Sequence, residues 1–202
     1  MVISMEMPGE GRKNAWRTEI LARRAAVTDD TRASEAAALA EAVRGLDIVD
    51  WVCAYVPVRG EPGSLAMLDA LRAMGTRVLL PVTGPAGPLR WAEYTGADGL
   101  RDARWGLREP SGPALPPETV VRAGLILVPA LAVDRRGVRL GRGAGYYDRT
   151  LGAAREKAAL VAVVRDDEVL DRLPEEPHDI RMGWALTPGT GPLRLEHDSR
   201  TE

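Results

Sequence analysis

The chain segment 139–149 combines residue types that suit the binding of a charged ligand. It reads Arg-Leu-Gly-Arg-Gly-Ala-Gly-Tyr-Tyr-Asp-Arg, with glycines at three alternate positions. Glycine lets the backbone approach a ligand closely and adopt conformations that a side chain would forbid. If a helix begins at Gly145, its free N–H groups and the positive end of its dipole face the loop and favour phosphate. Arg139 and Arg142 would add charge-assisted hydrogen bonds, each worth roughly 1.5–3 kcal/mol.

The glycine spacing alone leaves more than one interpretation open. The third glycine follows the second by two residues, so the segment is not the dinucleotide-binding fingerprint, and no Gly-Lys-Ser/Thr follows as in a Walker loop. A tight turn that binds nothing is equally compatible with these glycines. Asp148 favours a ligand, because a carboxylate beside a phosphate loop is well placed to hold magnesium. The helix dipole also favours an aspartate there by ~0.3–1 kcal/mol, so a purely stabilising role stays open.

The elements around this segment alternate between strands and helices. Apolar runs typical of strands occupy residues 51–56, 77–82, 124–132 and 160–164, with a weaker run near 89–94. Helical periodicity covers residues 12–26, 28–44 and 64–74, with Thr28 or Asp29 and Ser64 as candidate N-caps and Gly45 and Gly75 as stop signals. This alternation predicts an α/β fold with a mostly parallel sheet and helices on both faces. Ligands of such sheets bind beyond the carboxyl ends of the strands, which is where the glycine segment falls.

Length and composition fit one folded domain. The chain has 202 residues, of which 45% are hydrophobic. We expect a single domain over residues 11–190, with loose tails at 1–10 and 191–202. The lone Cys53 lies in an apolar run, so we expect a buried core cysteine in a protein of a reducing compartment.

Charge and hydropathy argue against several classes of partner. The 29 acidic and 27 basic side chains leave a formal net charge of -2, so no overall positive field draws the chain to nucleic acid or to an anionic membrane. The N-terminus lacks the pattern of a secretory signal, and no apolar run approaches the ~20 residues that span a bilayer. We therefore expect a cytoplasmic protein, monomeric, with neither nucleic acid nor membrane as a partner.

Shorter motifs accompany the glycine segment in a particular order along the chain. They are Lys13 with Arg17, residues 55–64 with Glu61 three positions before Ser64, Trp-Gly-Leu-Arg-Glu-Pro at 105–110, Val-Pro-Ala-Leu-Ala-Val-Asp at 128–134, Gly137, Leu173-Pro174, His178-Asp179 and Thr187. Together with the glycine–tyrosine motif they resemble the 5-formyltetrahydrofolate cyclo-ligases over nearly the whole chain. The glycine–tyrosine motif is highly specific, whereas each of the others is weak alone.

This resemblance implies a fold and an activity. The fold would be NagB/RpiA/CoA transferase-like. The activity would be the ATP- and Mg²⁺-dependent cyclisation of 5-formyltetrahydrofolate to 5,10-methenyltetrahydrofolate, a step of folate one-carbon metabolism. The formyl oxygen would be phosphorylated by ATP before the ring closes, with release of ADP and phosphate. The folate and ATP would be the partners of the protein, and Mg²⁺ its cofactor.

The resemblance also implies roles for individual residues. Those that match ATP-binding positions are Lys13, Arg17, Arg139, Leu140, Gly141, Arg142, Gly143, Ala144, Gly145, Tyr146 and Tyr147. Those that match folate-binding positions are Val56, Glu61, Arg142, Gly143, Ala144, Gly145 and Tyr146. Asp148 and Asp179 match the carboxylates that hold magnesium. Arg142 and Lys13 are the candidate catalytic residues, because they could offset charge that builds on the phosphoryl oxygens.

Without the resemblance, most of these residues have an ordinary structural interpretation. The basic pair Lys13 and Arg17 would more often be a solvated helix face. Glu61 would be a loop acid and Asp179 a turn aspartate, with His178 beside it to orient its carboxylate. The two tyrosines could equally be core aromatics, and at least one of them is expected to pack as well as bind.

Three residues depart from the family pattern, and two other functions stay open. Val133 stands where an aromatic residue is common, Ala144 removes a possible phosphate contact, and Glu168 replaces an expected glutamine, adding a negative charge that could weaken binding of an anionic substrate. One rival function is a non-catalytic relative that binds folate, nucleotide or RNA. The other is a sugar-phosphate isomerase or CoA transferase, which would need no ATP.

Overall fold

The computed structural model describes residues 9–47, 50–58, 60–84, 87–154 and 157–196. Most of the two predicted tails, residues 1–8 and 197–202, lies outside this described part of the chain. Within the described residues, no helix has both the length and the apolar character that crossing a bilayer requires.

Helices and strands alternate along the chain. The α-helices are α1 (Gly9–Ala25), α2 (Asp29–Ala42), α3 (Leu65–Ala73) and α4 (Tyr146–Leu151). The strands are β1 (Trp51–Cys53), β2 (Arg77–Val82), β3 (Arg90–Glu93), β4 (Leu100–Asp102), β5 (Arg108–Pro110), β6 (Leu125–Pro129), β7 (Ala132–Asp134), β8 (Arg139–Leu140), β9 (Ala159–Val163), β10 (Val169–Leu170), β11 (Trp184–Thr187) and β12 (Gly191–Arg194). Short 3₁₀ turns lie at Val43–Gly45, Ala97–Gly99, Arg104–Gly106, Pro117–Arg122 and Asp166–Glu168.

Local signals mark the start of α2 and the ends of α2 and α3. The Thr28 hydroxyl accepts a hydrogen bond from the Thr31 amide at 3.2 Å and so caps α2. Gly75 follows α3 with φ of 85°, a conformation that glycine adopts without steric cost. Ser64 occupies the predicted N-cap position of α3, but its buried hydroxyl makes no capping hydrogen bond to a described residue.

A seven-stranded sheet forms the centre of the molecule, in the order β12-β11-β9-β6-β1-β2-β3. The five inner strands run parallel, and the two edge strands β12 and β3 are antiparallel to their neighbours. This arrangement confirms the predicted mostly parallel sheet. Two smaller sheets join β10-β7-β8 and β4-β5.

The C-terminal tail prediction was wrong for the first residues of that tail. Gly191–Arg194 form β12, which pairs with β11 from Trp184 to Thr187. Leu193 and Leu195 lie on either side of the exposed Arg194 and pack against one face of the main sheet. Because side chains two residues apart point to the same face of a strand, both leucines make the apolar contacts that hold β12 in place.

Both faces of the main sheet are covered. On one face, Val52, Leu80 and Leu127 pack with residues of α2 and α3. On the other, Cys53 and Ile126 pack with α4, the small β10-β7-β8 sheet and the 3₁₀ turn that precedes β6. Cys53 is fully buried as predicted, and burial raises the pKa of its thiol to about 12. Helix α1 lies on the small sheet and contributes Trp16 and Ile20 to a separate apolar cluster there.

A buried ion pair ties α1 to the rest of the fold. Arg24 Nε lies 2.6 Å from one carboxylate oxygen of Glu168, and its Nη2 lies 2.7 Å from the other. The side chains of Arg24 and Glu168 are 3% and 2% exposed. Arg24 Nη2 also donates to the carbonyl of Ala130 at 2.7 Å, just beyond β6. Glu168 therefore carries a compensated charge rather than a free one.

We expect Glu168→Ala to lower the free energy of unfolding by about 3–5 kcal/mol, because it leaves the Arg24 guanidinium buried without a counter-charge. Urea denaturation followed by circular dichroism measures the change. Asp167→Ala is the matched control, since this neighbouring carboxylate is 60% exposed and its loss should change stability by no more than about 0.5 kcal/mol. Equal effects of the two substitutions would show that the buried pair does not anchor α1.

Candidate active site

One cavity of about 910 Å³ lies at the carboxyl ends of β1, β2 and β6. Its wall contains residues that directly follow these strands, such as Tyr55 after β1, Thr83 after β2 and Ala130 after β6. It also contains all the residues predicted to bind ATP, folate or metal. These are Lys13, Arg17, Val56, Glu61, Arg139, Leu140, Gly141, Arg142, Gly143, Ala144, Gly145, Tyr146, Tyr147, Asp148 and Asp179. The structure thus brings the predicted set together in space, while the role of each residue stays a prediction.

The glycine segment forms a loop that ends at the first turn of α4. Gly143 and Gly145 have φ of 97° and 66°, so two of the three glycines occupy backbone conformations that other residues rarely adopt. A Cβ atom at Gly145 would lie 2.9 Å from Arg149 Nη1. Arg149 holds this loop from the helix side by donating to the carbonyl of Ala144 at 3.0 Å.

Lys13 projects from α1 into a pair of carboxylates on the C-terminal segment. Its Nζ lies 2.7 Å from Glu176 Oε2 and 2.8 Å from Asp179 Oδ2. Burial acts to lower the pKa of Lys13, but the hydrogen bonds and the charges of both carboxylates together outweigh it and raise the pKa. Lys13 therefore stays cationic, although only 6% of its side chain is exposed.

Arg139 and Asp148 form a second ion pair across the glycine loop. The guanidinium of Arg139 also lies 5.8 Å from the centre of the Tyr147 ring. Tyr147 packs against the core of the main sheet, and burial raises the pKa of its hydroxyl. Tyr146 is more exposed and carries Arg149 over its ring at 5.2 Å. The expectation that at least one of the tyrosines packs is confirmed for Tyr147.

Arg142 and Glu61 form a third pair, which joins the glycine loop to the segment after β1. Arg142 Nε lies 3.0 Å from Glu61 Oε1, and the Val58 amide donates to the other oxygen of Glu61 at 3.1 Å. Arg17 of α1 donates to the carbonyl of Gly141 at 3.0 Å, which anchors the start of the loop. Three cations of the wall thus have carboxylate partners within the protein.

A group of three side chains could hold a metal ion. The ligand atoms of Glu176, His178 and Asp179 lie within 4.8 Å of one another, and Asp148 is not part of this group. The donor chemistry of the wall fits a hard cation such as Mg²⁺, which takes one or two carboxylates together with phosphate oxygens. His178 does not orient Asp179 as predicted, because its Nε2 is 3.9 Å from Asp179 Oδ1 and its side chain is 72% exposed. Lys13 and the amide of Glu176, 2.8 Å from Asp179 Oδ2, orient this carboxylate instead.

Sequence reasoning missed several wall residues. Glu176 pairs with Lys13, and its spacing of three residues from Asp179 is the signal that could have found it. Glu109 is buried and accepts two hydrogen bonds of 2.8 Å from Thr83 and one of 2.9 Å from Arg101. Burial acts to raise the pKa of Glu109, but these hydrogen bonds outweigh it and lower the pKa. Its only sequence signal is the short motif at 105–110.

The three departures from the family pattern fall in different environments. Ala144 lies in the cavity wall. Val133 is fully buried in the core cluster on one face of the sheet, so this position serves packing. Glu168 is paired with Arg24 and does not line the cavity. Only the alanine of the loop therefore changes the surface that a ligand would contact.

Known proteins resemble the chain over most of its length. Residues 10–188 match the model of the 5-formyltetrahydrofolate cyclo-ligase family. The 5-formyltetrahydrofolate cyclo-ligase of Mycolicibacterium smegmatis is 52% identical over 189 residues, which cover 91% of this chain and 97% of that protein. The protein of the same name from Escherichia coli K12 is 31% identical over 140 residues, covering 68% of this chain and 77% of that protein.

Solved structures share the fold. The 5,10-methenyltetrahydrofolate synthetase of Aquifex aeolicus superposes with a TM-score of 0.74 at 26% identity, covering 94% of this chain and 99% of that chain. The enzyme of that name from Mycoplasma pneumoniae gives a TM-score of 0.68 at 18% identity, covering 86% and 96%. With the family model matched over residues 10–188 and a relative of 52% identity, the chain belongs to the 5-formyltetrahydrofolate cyclo-ligase family.

Proposed function

We propose that the protein closes 5-formyltetrahydrofolate to 5,10-methenyltetrahydrofolate, with ATP as co-substrate and Mg²⁺ as cofactor. The observation that carries this proposal is that one cavity is lined by the glycine loop, Lys13, Asp148 and Asp179, in a chain that belongs to this family. The reaction belongs to folate one-carbon metabolism. A cytoplasmic location and a monomeric state remain predictions from the sequence.

ATP would bind against the glycine loop and α1. The loop amides and Arg139 would donate hydrogen bonds to phosphate oxygens, since oriented backbone N–H groups and guanidinium groups suit such anions. Lys13 and Arg17 reach the same space from α1. Because Lys13 stays cationic, it would offset negative charge on the transferring phosphoryl group.

Asp148 and Asp179 would hold the magnesium ion together with phosphate oxygens. When bound, Mg²⁺ neutralises charge on the phosphates and aligns them for transfer. Both carboxylates are paired in this structure, Asp148 with Arg139 and Asp179 with Lys13. Binding of the nucleotide would let the two cations turn to the phosphates and free both carboxylates for the metal.

The folate would occupy the part of the cavity between Val56, Glu61 and the glycine loop. Arg142 and the Val58 amide orient the carboxylate of Glu61, which would accept hydrogen bonds from the N–H groups of the pterin. Arg142, shared between the loop and Glu61, would lie close to both substrates.

The chemistry needs positioning and charge stabilisation more than a nucleophilic side chain. The formyl oxygen attacks the γ-phosphorus, and ADP leaves. N10 then attacks the activated carbon, its proton passes to the departing phosphate or to water, and the phosphate carries away the former formyl oxygen. The buried Cys53, with its raised pKa, has no part in these steps. The protein contributes proximity and preorganised charge.

We expect purified protein to generate the absorbance band of the methenyl product from 5-formyltetrahydrofolate only when both ATP and Mg²⁺ are present, with the signal lost on adding EDTA. Asp148→Asn should lower kcat/KM by about 100-fold, because it removes a charged metal ligand. Asp171→Asn is the matched control, since that carboxylate is 98% exposed and outside the cavity.

Two results would contradict this proposal. A flat absorbance trace from folded, ATP-binding protein would place the chain among non-catalytic relatives. Turnover without nucleotide would favour an isomerase or transferase reaction.

We expect Lys13→Met to raise the KM for ATP by about tenfold or more, because a charge-assisted contact to phosphate is lost. The KM for the folate should change by less than about twofold. Steady-state kinetics with each substrate varied in turn separates the two constants. Lys157→Met, at an exposed lysine outside the cavity, removes the same charge as a control. A rise in the folate KM alone would show that Lys13 does not serve the nucleotide.

A further inference from the structure

Two arginines of the cavity wall have no carboxylate partner in the described part of the chain. Arg90 lies at the start of β3, and its side chain makes no hydrogen bond or ion pair with any described residue. Arg108 lies at the start of β5, and among the described residues its side chain donates only to the carbonyl of Ala97, at 3.4 Å. Both side chains are exposed at the cavity rim. Their positive charges are therefore available to a ligand.

Three other cations of the wall, in contrast, form ion pairs within the protein. Lys13, Arg139 and Arg142 are each paired with a carboxylate that also lines the cavity. The acid beside Arg108 does not neutralise it, because both oxygens of Glu109 are engaged by Thr83 and Arg101. The uncompensated positive charge is thus concentrated on the wall that carries Arg90 and Arg108.

The two arginines belong to one part of the cavity. β3 pairs with β2, and β5 packs against both of these strands. Leu89 and Leu107, the residues immediately before the two arginines, also line the cavity and add apolar surface. This wall is separate in sequence from the glycine loop and α1. It combines an apolar strip with two cations at its solvent edge.

We propose that Arg90 and Arg108 bind the carboxylates of the glutamate tail of the folate substrate. This inference rests on the function proposed above. A folate carries an aromatic aminobenzoyl group between its pterin and its glutamate, which matches an apolar strip that ends in cations. Guanidinium groups bind carboxylates with charge-assisted, often bidentate, hydrogen bonds. Because the arginines are exposed at the rim, further γ-linked glutamates would extend into solvent without obstruction.

The test compares two substrates that differ only in the tail. The KM of the wild-type protein for 5-formyltetrahydropteroate, which lacks glutamate, should exceed its KM for 5-formyltetrahydrofolate by about tenfold. In the double variant Arg90→Gln/Arg108→Gln this ratio should fall to about one. Salt should raise the KM for the folate more in the wild type than in the variant, because the tail contact is screened. Arg104→Gln, at an exposed arginine outside the wall, is the matched control and should keep the wild-type ratio.

Other outcomes would overturn the proposal. A ratio that persists in the double variant would show that the tail binds elsewhere. A rise in the KM for ATP, with an unchanged ratio between the folates, would show that the arginines bind phosphate instead. If the wild type gave no turnover, the proposed function would fail. Calorimetric dissociation constants for the same two compounds would still give the ratio of their affinities, and this ratio tests the tail site independently of turnover.

Discussion

The buried pair of Arg24 and Glu168 determines where α1 lies, and the candidate site depends on that position. Two charges that are removed from water must stay together, because separating them would leave each one unsolvated in a medium of low dielectric constant. Arg24 also donates to the Ala130 carbonyl, just beyond the end of β6. The last turns of α1 are therefore held against the sheet, and its earlier residues Lys13 and Arg17 extend over the cavity from that anchor.

A second buried carboxylate positions the segment that faces Lys13. Asp134 is fully buried and accepts hydrogen bonds of 2.9 Å from the amides of Val138 and Leu173. It thereby joins the β7–β8 hairpin, from which the glycine loop continues, to the chain that leads to Asp179. Removal of such an acceptor would leave several buried donors unsatisfied. Lys13 and Asp179 are thus held by different buried charged groups. The Arg24–Glu168 pair holds the helix that carries Lys13, and Asp134 holds the segment that leads to Asp179.

The cations of the cavity wall fall into two groups, those paired with a carboxylate of the protein and those without one. In this structure Lys13, Arg139 and Arg142 are each paired with a carboxylate of the wall, whereas Arg90 and Arg108 have no carboxylate partner among the described residues. The first three can exchange a carboxylate for a phosphate at little electrostatic cost, because one anion replaces another. Arg90 and Arg108 would gain a carboxylate partner from a ligand. Paired cations therefore suit a nucleotide that arrives with its own metal, whereas unpaired cations suit the carboxylates of an organic substrate.

The sequence by itself determined the alternation of strands and helices, the glycine loop before α4 and the family, because these depend on patterns among neighbouring residues. The same local patterns did not reveal that Glu168 is buried against Arg24, that Glu176 contacts Lys13, or that the Arg90 side chain has no partner among the residues that the structure describes. Only the tertiary structure decided those partners, since Lys13 lies 166 positions from Asp179 and the pairing depends on how α1 packs. Charged side chains interact over short distances in space, and no pattern along the chain specifies which distant carboxylate will be close.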